Sequence, residues 1–344
     1  MTTYAILQNP GHSRVYFKTA RALAQIEFRR AGEKMTALPD NLQEKILGAI
    51  PYLLFDMKSQ LTEADIKIIS RLSFVYGIFE WINGTLIPLE KNPDYYFESD
   101  DITTILKYNG KTNELFTRML LNAAAFGSNF NLMDRLNILD PLCGKGTTLF
   151  EGLLCGHNVY GVDTDDKMIH EAYIFFKKYL ENIKYKHSTH QERQGMQAYT
   201  ALRYQIKLSR SKTDKCPLQA EFIAGDTRHI GQFYRKNTFH IIAGDLPYGV
   251  QHGSKTGKNT KSFVKKESRN SLPMLIEALP GWHKVLKTGG TLALAWNLFL
   301  ISRQEMEAVL ENNGFSLTAP KGDESFVHRV DQAINRDAII GIKK

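Results

Sequence analysis

The chain has 344 residues, 43% of them hydrophobic and 23% charged, and Lys plus Arg exceed Asp plus Glu by eight. This composition excludes a disordered polymer and leaves room for one large core with a smaller one attached. No apolar run reaches the roughly 18 residues a membrane helix needs, the N-terminus lacks signal-peptide character, and three cysteines without CxxC spacing disfavour disulfides and structural zinc. The expectation is a cytoplasmic protein with no membrane and no metal, and the positive charge points to a polyanionic partner, nucleic acid.

From Tyr4 to about Asn109 the pattern is mixed. It reads as an apolar start, a helix over Thr19 to Arg30, a second helix over Asn41 to Met57, and strands at Ile66–Ile69 and Leu86–Leu89. Pro88, Asn92-Pro93 and the acidic stretch Glu98 to Asp101 mark loops, so a small α+β domain over residues 1–100 is expected, with a candidate RNA-binding role. The second unit, residues 101–344, opens with a helix from Leu115 to Ala123, with Thr112 as its cap and Gly127 as its stop.

Short apolar strands then alternate with helices: Ile138–Asp140, Leu149–Leu154, Val159–Asp163, Met168–Leu180, Phe222–Asp226, Phe239–Ala243, a helix within Leu272–Leu286, and Thr291–Trp296. Such alternation predicts an α/β fold with a mostly parallel, doubly wound sheet whose ligands lie beyond the carboxyl ends of the strands. Residues 184–218 interrupt the rhythm and are expected to be an insertion or extended loop with some helix. Basic charge gathers in two segments: Lys184 to Lys215 has eight Lys or Arg against two acids, and His252 to Arg269 has six against one.

Three strand-end segments carry chemistry. Asp140-Pro-Leu-Cys-Gly-Lys-Gly-Thr-Thr148 follows a strand and precedes an apolar helix. Its glycines let the backbone turn tightly and approach a ligand, but it matches neither the Walker pattern nor the dinucleotide fingerprint. Asp163, 23 residues after Asp140, is placed to accept ribose hydroxyls. With no phosphate-type loop ahead of it, the choice turns from a dinucleotide to S-adenosylmethionine. Asp226, ending the third strand, is a candidate acceptor for the adenine amino group.

The most specific segment is Ala243-Gly-Asp-Leu-Pro-Tyr-Gly249. An exocyclic amine of a base is a poor nucleophile because its lone pair is delocalised into the ring. Acceptors aimed at its two N–H groups, here the Asp245 carboxylate and the Leu246 carbonyl, turn that lone pair towards an incoming methyl. Pro247 fixes the backbone, and Tyr248 offers a flat face for a base taken out of its stack.

Together with Lys111-Thr-Asn-Glu-Leu-Phe-Thr-Arg118, these loops resemble the amino-methyltransferases with an (Asp/Asn)-Pro-Pro-Tyr motif, and within them the tRNA guanine-N2 methyltransferase and RNA methylase branch. The similarity covers roughly residues 105 to 300. It implies a Rossmann-like class I methyltransferase fold. It also implies that Asp140, Cys143, Gly144 and Gly146 border the methionine part of the cofactor, Asp163 the ribose and Asp226 the adenine. Thr112 and Phe116 fall near the cofactor's carboxylate end, and Asp245 and Tyr248 hold the base. Two positions depart from the family: Leu246 replaces its first proline, and Lys145 stands where a small residue is common.

The resulting expectation is an S-adenosylmethionine-dependent enzyme methylating guanine N2, with tRNA as partner. A DNA adenine-N6 or cytosine-N4 methyltransferase and a catalytically silent nucleic-acid-binding protein are the alternatives. His252 to Arg269 is the expected substrate-gripping loop.

Overall fold

The computed structural model describes all residues except 10–13, 109, 196–199, 210–215, 249–270 and 319–324. The N-terminal unit runs β1 (Thr2–Gln8), α1 (Arg14–Gly32), β2 (Asp40–Leu47), β3 (Ile50–Met57), α2 (Glu63–Ser70), β4 (Val75–Ile82) and β5 (Thr85–Leu89). Its strands lie in the order β2-β3-β1-β4-β5, every pair antiparallel. Alternate residues Ile6, Leu53, Phe55 and Ile78 face α1 and α2, whose Leu23, Ile26, Phe28 and Ile69 complete the core.

Two expectations fail in this unit. The helix expected over Asn41 to Met57 is the β2–β3 hairpin, because Gly48 (φ 55°) and Ala49 (φ 67°) form a two-residue left-handed turn that suits the strand twist. The strand expected at Ile66–Ile69 lies inside α2, where Thr62 and Asp65 cap the helix reciprocally and nucleate it.

The second unit comprises α3 (Glu114–Gly127), β6 (Asn137–Asp140), α4 (Thr147–Leu154), β7 (Asn158–Asp163), α5 (Asp166–Asn182), β8 (His187–Gly195), β9 (Thr200–Leu208), β10 (Leu218–Ala224), α6 (Ile230–Phe233), β11 (Phe239–Asp245), α7 (Leu272–Val285), β12 (Leu286–Asn297), α8 (Arg303–Asn312), β13 (Phe315–Leu317), β14 (His328–Arg329) and β15 (Asn335–Lys343). One sheet takes the order β13-β15-β12-β11-β6-β7-β10-β9-β8. The run β12-β11-β6-β7-β10 is parallel, and β15 is antiparallel between β12 and β13. This is the Rossmann-like class I methyltransferase sheet, and its order reverses direction between β6 and β11, where a crevice opens beyond the strand ends.

Residues 184–218 hold the antiparallel β8–β9 hairpin and no helix among those described. Tyr204, Ile206 and Leu208 are buried on one face of β9 at strand spacing, whereas polar β8 is an exposed edge.

Helix α3 joins the two units. Phe116, Met119, Leu120 and Ala123 pack on Ile138, Ile241 and Ala243 of the large sheet, within the same core as Phe28 and Phe55. At this seam the fully buried Glu27 carboxylate accepts from the Ser73 N–H at 3.0 Å and from Asn122 Nδ2 at 2.7 Å, and Asn122 also donates to the Arg71 carbonyl. Burial pushes this carboxyl above its usual range, against the pull of its donors.

Glu27→Ala orphans these buried donors, so it is expected to lower unfolding free energy by about 2–4 kcal/mol. Urea titration checks this, and a loss below about 1 kcal/mol would contradict the seam's importance.

Candidate active site

Strand β6 delivers Asp140 into the crevice, and the chain from Pro141 to Gly146 then turns into α4. Gly144 (φ 50°) and Gly146 (φ 88°) take left-handed conformations that side chains disfavour. The loop is stitched to β7 by two bonds: Cys143 N–H to the Val162 carbonyl at 3.0 Å, and Gly144 N–H to Asp163 Oδ2 at 2.8 Å. Cys143 fills the space that Gly161 leaves open, where a Cβ would lie 2.7 Å from its Sγ. Lys145 turns away from the loop to pair with Glu171 at 2.6 Å, its Nζ 5.0 Å from the Tyr108 ring centre.

Asp140 is buried, and Oδ1 accepts the Leu142 N–H at 3.0 Å. Burial raises its carboxyl to about 7, the Thr148 hydroxyl and the Leu142 N–H pull it down, and Asp163 and Asp245 add further upward pressure. Asp163 is also pushed up by burial, and its second oxygen accepts the Asp165 N–H.

Strand β11 ends at Asp245, beside β6. Gly244 lies beside the end of β6, where a Cβ would sit in ordinary contact 3.4 Å from Asp140 Oδ1. Asp245 Oδ1 accepts the Tyr248 hydroxyl, and Oδ2 accepts the Thr112 hydroxyl at 2.9 Å. Arg336, from the start of β15, stands 3.6 Å from the same Oδ2. Its guanidinium carbon lies 4.3 Å from the centre of the Phe116 ring and 5.1 Å from that of Tyr248. Burial raises the Asp245 carboxyl, while Arg336, Tyr248 and Thr112 act to lower it.

The departure at Leu246 has a physical reason. Its N–H donates to the Ala295 carbonyl at 2.8 Å, extending the β11–β12 ladder past Asp245, and its side chain is buried in the core under α7. A proline there could not donate that bond. Pro247 is exposed.

Ten of the expected residues therefore form two adjoining groups: Asp140, Cys143, Gly144, Gly146 and Asp163 around the glycine loop, and Thr112, Phe116, Asp245, Leu246 and Tyr248 around the end of β11. Thr112 does not cap α3, because Asn113 takes that place by accepting from the Phe116 N–H, which frees the Thr112 hydroxyl for Asp245. Phe116 is fully buried and supports Arg336 from below. Asp226 follows Gly225, whose N–H donates to the Asp163 carbonyl. Its carboxylate caps a short 3-10 turn and is gripped by Arg228, so it lies below its usual range despite partial burial. The sequence reading did not single out Arg336 or His328, whose ring centre is 4.9 Å from that of Phe116. The segment His252 to Arg269 lies outside the described residues.

The site thus has acceptors on both sides of the switch point and a buried cation on one. Among the described residues no group of three or more His, Cys, Asp or Glu is placed to hold a metal ion, and no helix is long and apolar enough to cross a membrane. The rim of the crevice on the glycine-loop side is glycine backbone without Cβ atoms at 144 and 146, with a carboxylate ending each of β6 and β7.

No curated protein sequence matches the chain. Among solved structures it is similar to TrmN from Thermus thermophilus (12% identity, 100% of each chain, TM-score 0.46). It is also similar to a TehB-like SAM-dependent methyltransferase from Corynebacterium glutamicum (17% identity, 67% of this chain and 97% of that one, TM-score 0.34). A third is the magnesium protoporphyrin IX methyltransferase from Synechocystis (13% identity, 71% and 90%, TM-score 0.38). Likenesses this distant carry no functional argument. Residues 122–270 match the family model described as RMKL-like, methyltransferase domain, a stretch that contains both the glycine loop and Asp245 to Tyr248.

Proposed function

We propose that this chain is an RNA methyltransferase that modifies an exocyclic amino group of a base, with guanine N2 in tRNA as the leading target. The observation that carries the reading is the Asp245 carboxylate at the switch point, anchored on Oδ2 by Thr112 and Arg336 and faced on Oδ1 by Tyr248. When bound, S-adenosylmethionine supplies an electrophilic methyl on a sulfonium. Asp140, Gly144 and Gly146 would hold its methionine part, Asp163 its ribose and Asp226 its adenine.

Asp245 is an acceptor on both oxygens when ionised. Guanine presents two neighbouring donors, N1–H and the N2 amine, to such a group. Adenine and cytosine present one donor beside a ring acceptor, which a carboxylate repels. At rest the Oδ1 position is taken by the Tyr248 hydroxyl, so an entering amine exchanges one neutral donor for another at little net cost and frees the Tyr248 ring to stack on the base. Holding the amine by its N–H groups directs the nitrogen lone pair away from Asp245 and towards the methyl. The net charge of +8 suits a polyanionic substrate, and the N-terminal unit is the proposed RNA-holding arm.

Labelled methyl transfer to total tRNA, ribosomal RNA and genomic DNA in parallel tests the reading. Label is expected in tRNA and lost in Asp245→Ala, with cofactor binding retained. Label in DNA alone, or in no nucleic acid, would overturn it.

Tyr248→Ala is expected to lower kcat/KM for RNA by about 5- to 150-fold, and Tyr248→Phe by no more than about threefold, since only the first removes the ring. Equal losses in steady-state assays would instead make the hydroxyl the working group.

Asp140 titrates near 7 in the free protein, and a cationic ligand favours its ionised form. Cofactor affinity should therefore rise with pH up to about 7 and then level off, and below that pH it should fall by up to about tenfold per unit with proton release on binding. Calorimetry in two buffers of different ionisation enthalpy measures both, and a flat profile from about pH 6 to 8 would contradict this role.

A further inference from the structure

We propose that Arg336 is the positioning residue of the amine-binding site: from outside the glycine and Asp-Leu-Pro-Tyr loops, it balances the charge of Asp245 and fixes the carboxylate edge that receives the base. This rests on the reading of Asp245 as the acceptor of the target amine.

The placement follows from topology. Five parallel strands bring their carboxyl ends to the crevice, and β15, being antiparallel, brings its amino end there instead. Ala338 pairs with Ala295, which pairs with Asp245 across β12, so Arg336 lies two residues beyond the level of Asp245 on the crevice side. Its neighbour Asp337 points the other way and is held by Arg303 at 2.9 Å, which fixes the direction of the Arg336 side chain.

The guanidinium is nearly excluded from solvent, with 5% of its side chain exposed, and lies between two rings, Phe116 below and Tyr248 above. A buried cation in this position needs an anion, and Asp245 Oδ2 is 3.6 Å away. The guanidinium also lies against the Tyr248 ring, so one planar group meets both the acceptor of the amine and the ring on which the base would stack. Lysine would keep the charge but not the flat fork that suits two rings and two oxygens.

Among the described residues, the other groups facing Asp245 come from β6, β12 and the two neighbouring loops. Asp140 from β6 repels it, Tyr248 and Thr112 donate to it, and β12 presents only Ala295 beside it. His328 from β14 sits beyond Phe116 with its imidazole lowered to about 4 by burial, so it is neutral at working pH. Among the described residues Arg336 is thus the positive charge placed against Asp245.

The test titrates Asp245 directly by NMR, in protein carrying carboxyl-labelled aspartate, with its signal assigned through Asp245→Asn. In Arg336→Gln the Asp245 midpoint is expected to rise by about one unit or more, and in Arg336→Lys to stay near the wild type. Methyl transfer to total tRNA by Arg336→Gln should then fall about tenfold further at mildly acidic than at alkaline pH, because the ionised fraction limits it. An unmoved midpoint, or a loss equal at every pH, overturns the proposal. If the glutamine variant does not fold, Arg336→Met, which keeps much of the packing and removes the charge, is titrated in its place, and an unmoved Asp245 midpoint overturns the proposal. The midpoint needs no substrate, so a protein inactive on every nucleic acid would refute the proposed function while leaving this measurement decisive for Arg336.

Discussion

Negative charge crowded where water is scarce is the constraint on which this site depends. Asp140, Asp163 and Asp245 end three neighbouring strands, β6, β7 and β11, and burial raises all three carboxyls. The two sides of the crevice meet that cost differently. Among the described residues, the carboxylates around the glycine loop receive neutral donors, the N–H groups of Leu142, Gly144 and Asp165, so they remain attractive to a cation. At the end of β11 a guanidinium is built in, so the space beside Asp245 suits a neutral base with N–H donors. In the proposed reaction, a cationic methyl donor would take the first side and a neutral base the second, the division of charge that amine methylation needs.

Backbone arrangement supplies the precision. Leu246 extends the ladder to β12 and so fixes the height of Asp245, while Gly161 allows the glycine loop to close on β7. The antiparallel β15 turns its amino end towards the crevice and brings Arg336 there. Helix α3 carries Phe116 into the same place and, through Asn122 and Glu27, keys the N-terminal unit to the site. A change at the seam between the units therefore acts on the element that supports Arg336 and positions Thr112.

The alternating strands and helices between residues 115 and 296 were legible in sequence where each is an apolar run with a cap or a turn beside it, but the β8–β9 hairpin was not, because β8 is polar and exposed along its length. The strand-end residues were legible for the same reason: Asp140, Asp163 and Asp245 each close a short apolar strand. The N-terminal unit was harder. Asn41 to Met57 has helical spacing of apolar residues, and only the left-handed Gly48-Ala49 pair, unusual for alanine, makes it a hairpin. Asn83-Gly84, a strong hairpin signal, does join β4 to β5, and β4 could have been read from it. Ile66–Ile69 looked extended, but the Thr62–Asp65 box that sets its helix lies upstream. Arg336 was invisible because its meaning depends on register across β12 and β15, which brings residues 91 positions apart in sequence into contact.

The most direct test of the central claim is the chemical position of the transferred methyl. RNA methylated by the purified protein would be digested to nucleosides and the modified one identified by chromatography and mass spectrometry against standards. The account predicts a methyl on an exocyclic nitrogen, N2-methylguanosine first among them. A methyl on a ring nitrogen, a ring carbon or the ribose would contradict it, because none of these needs a carboxylate to hold an amine by its N–H groups.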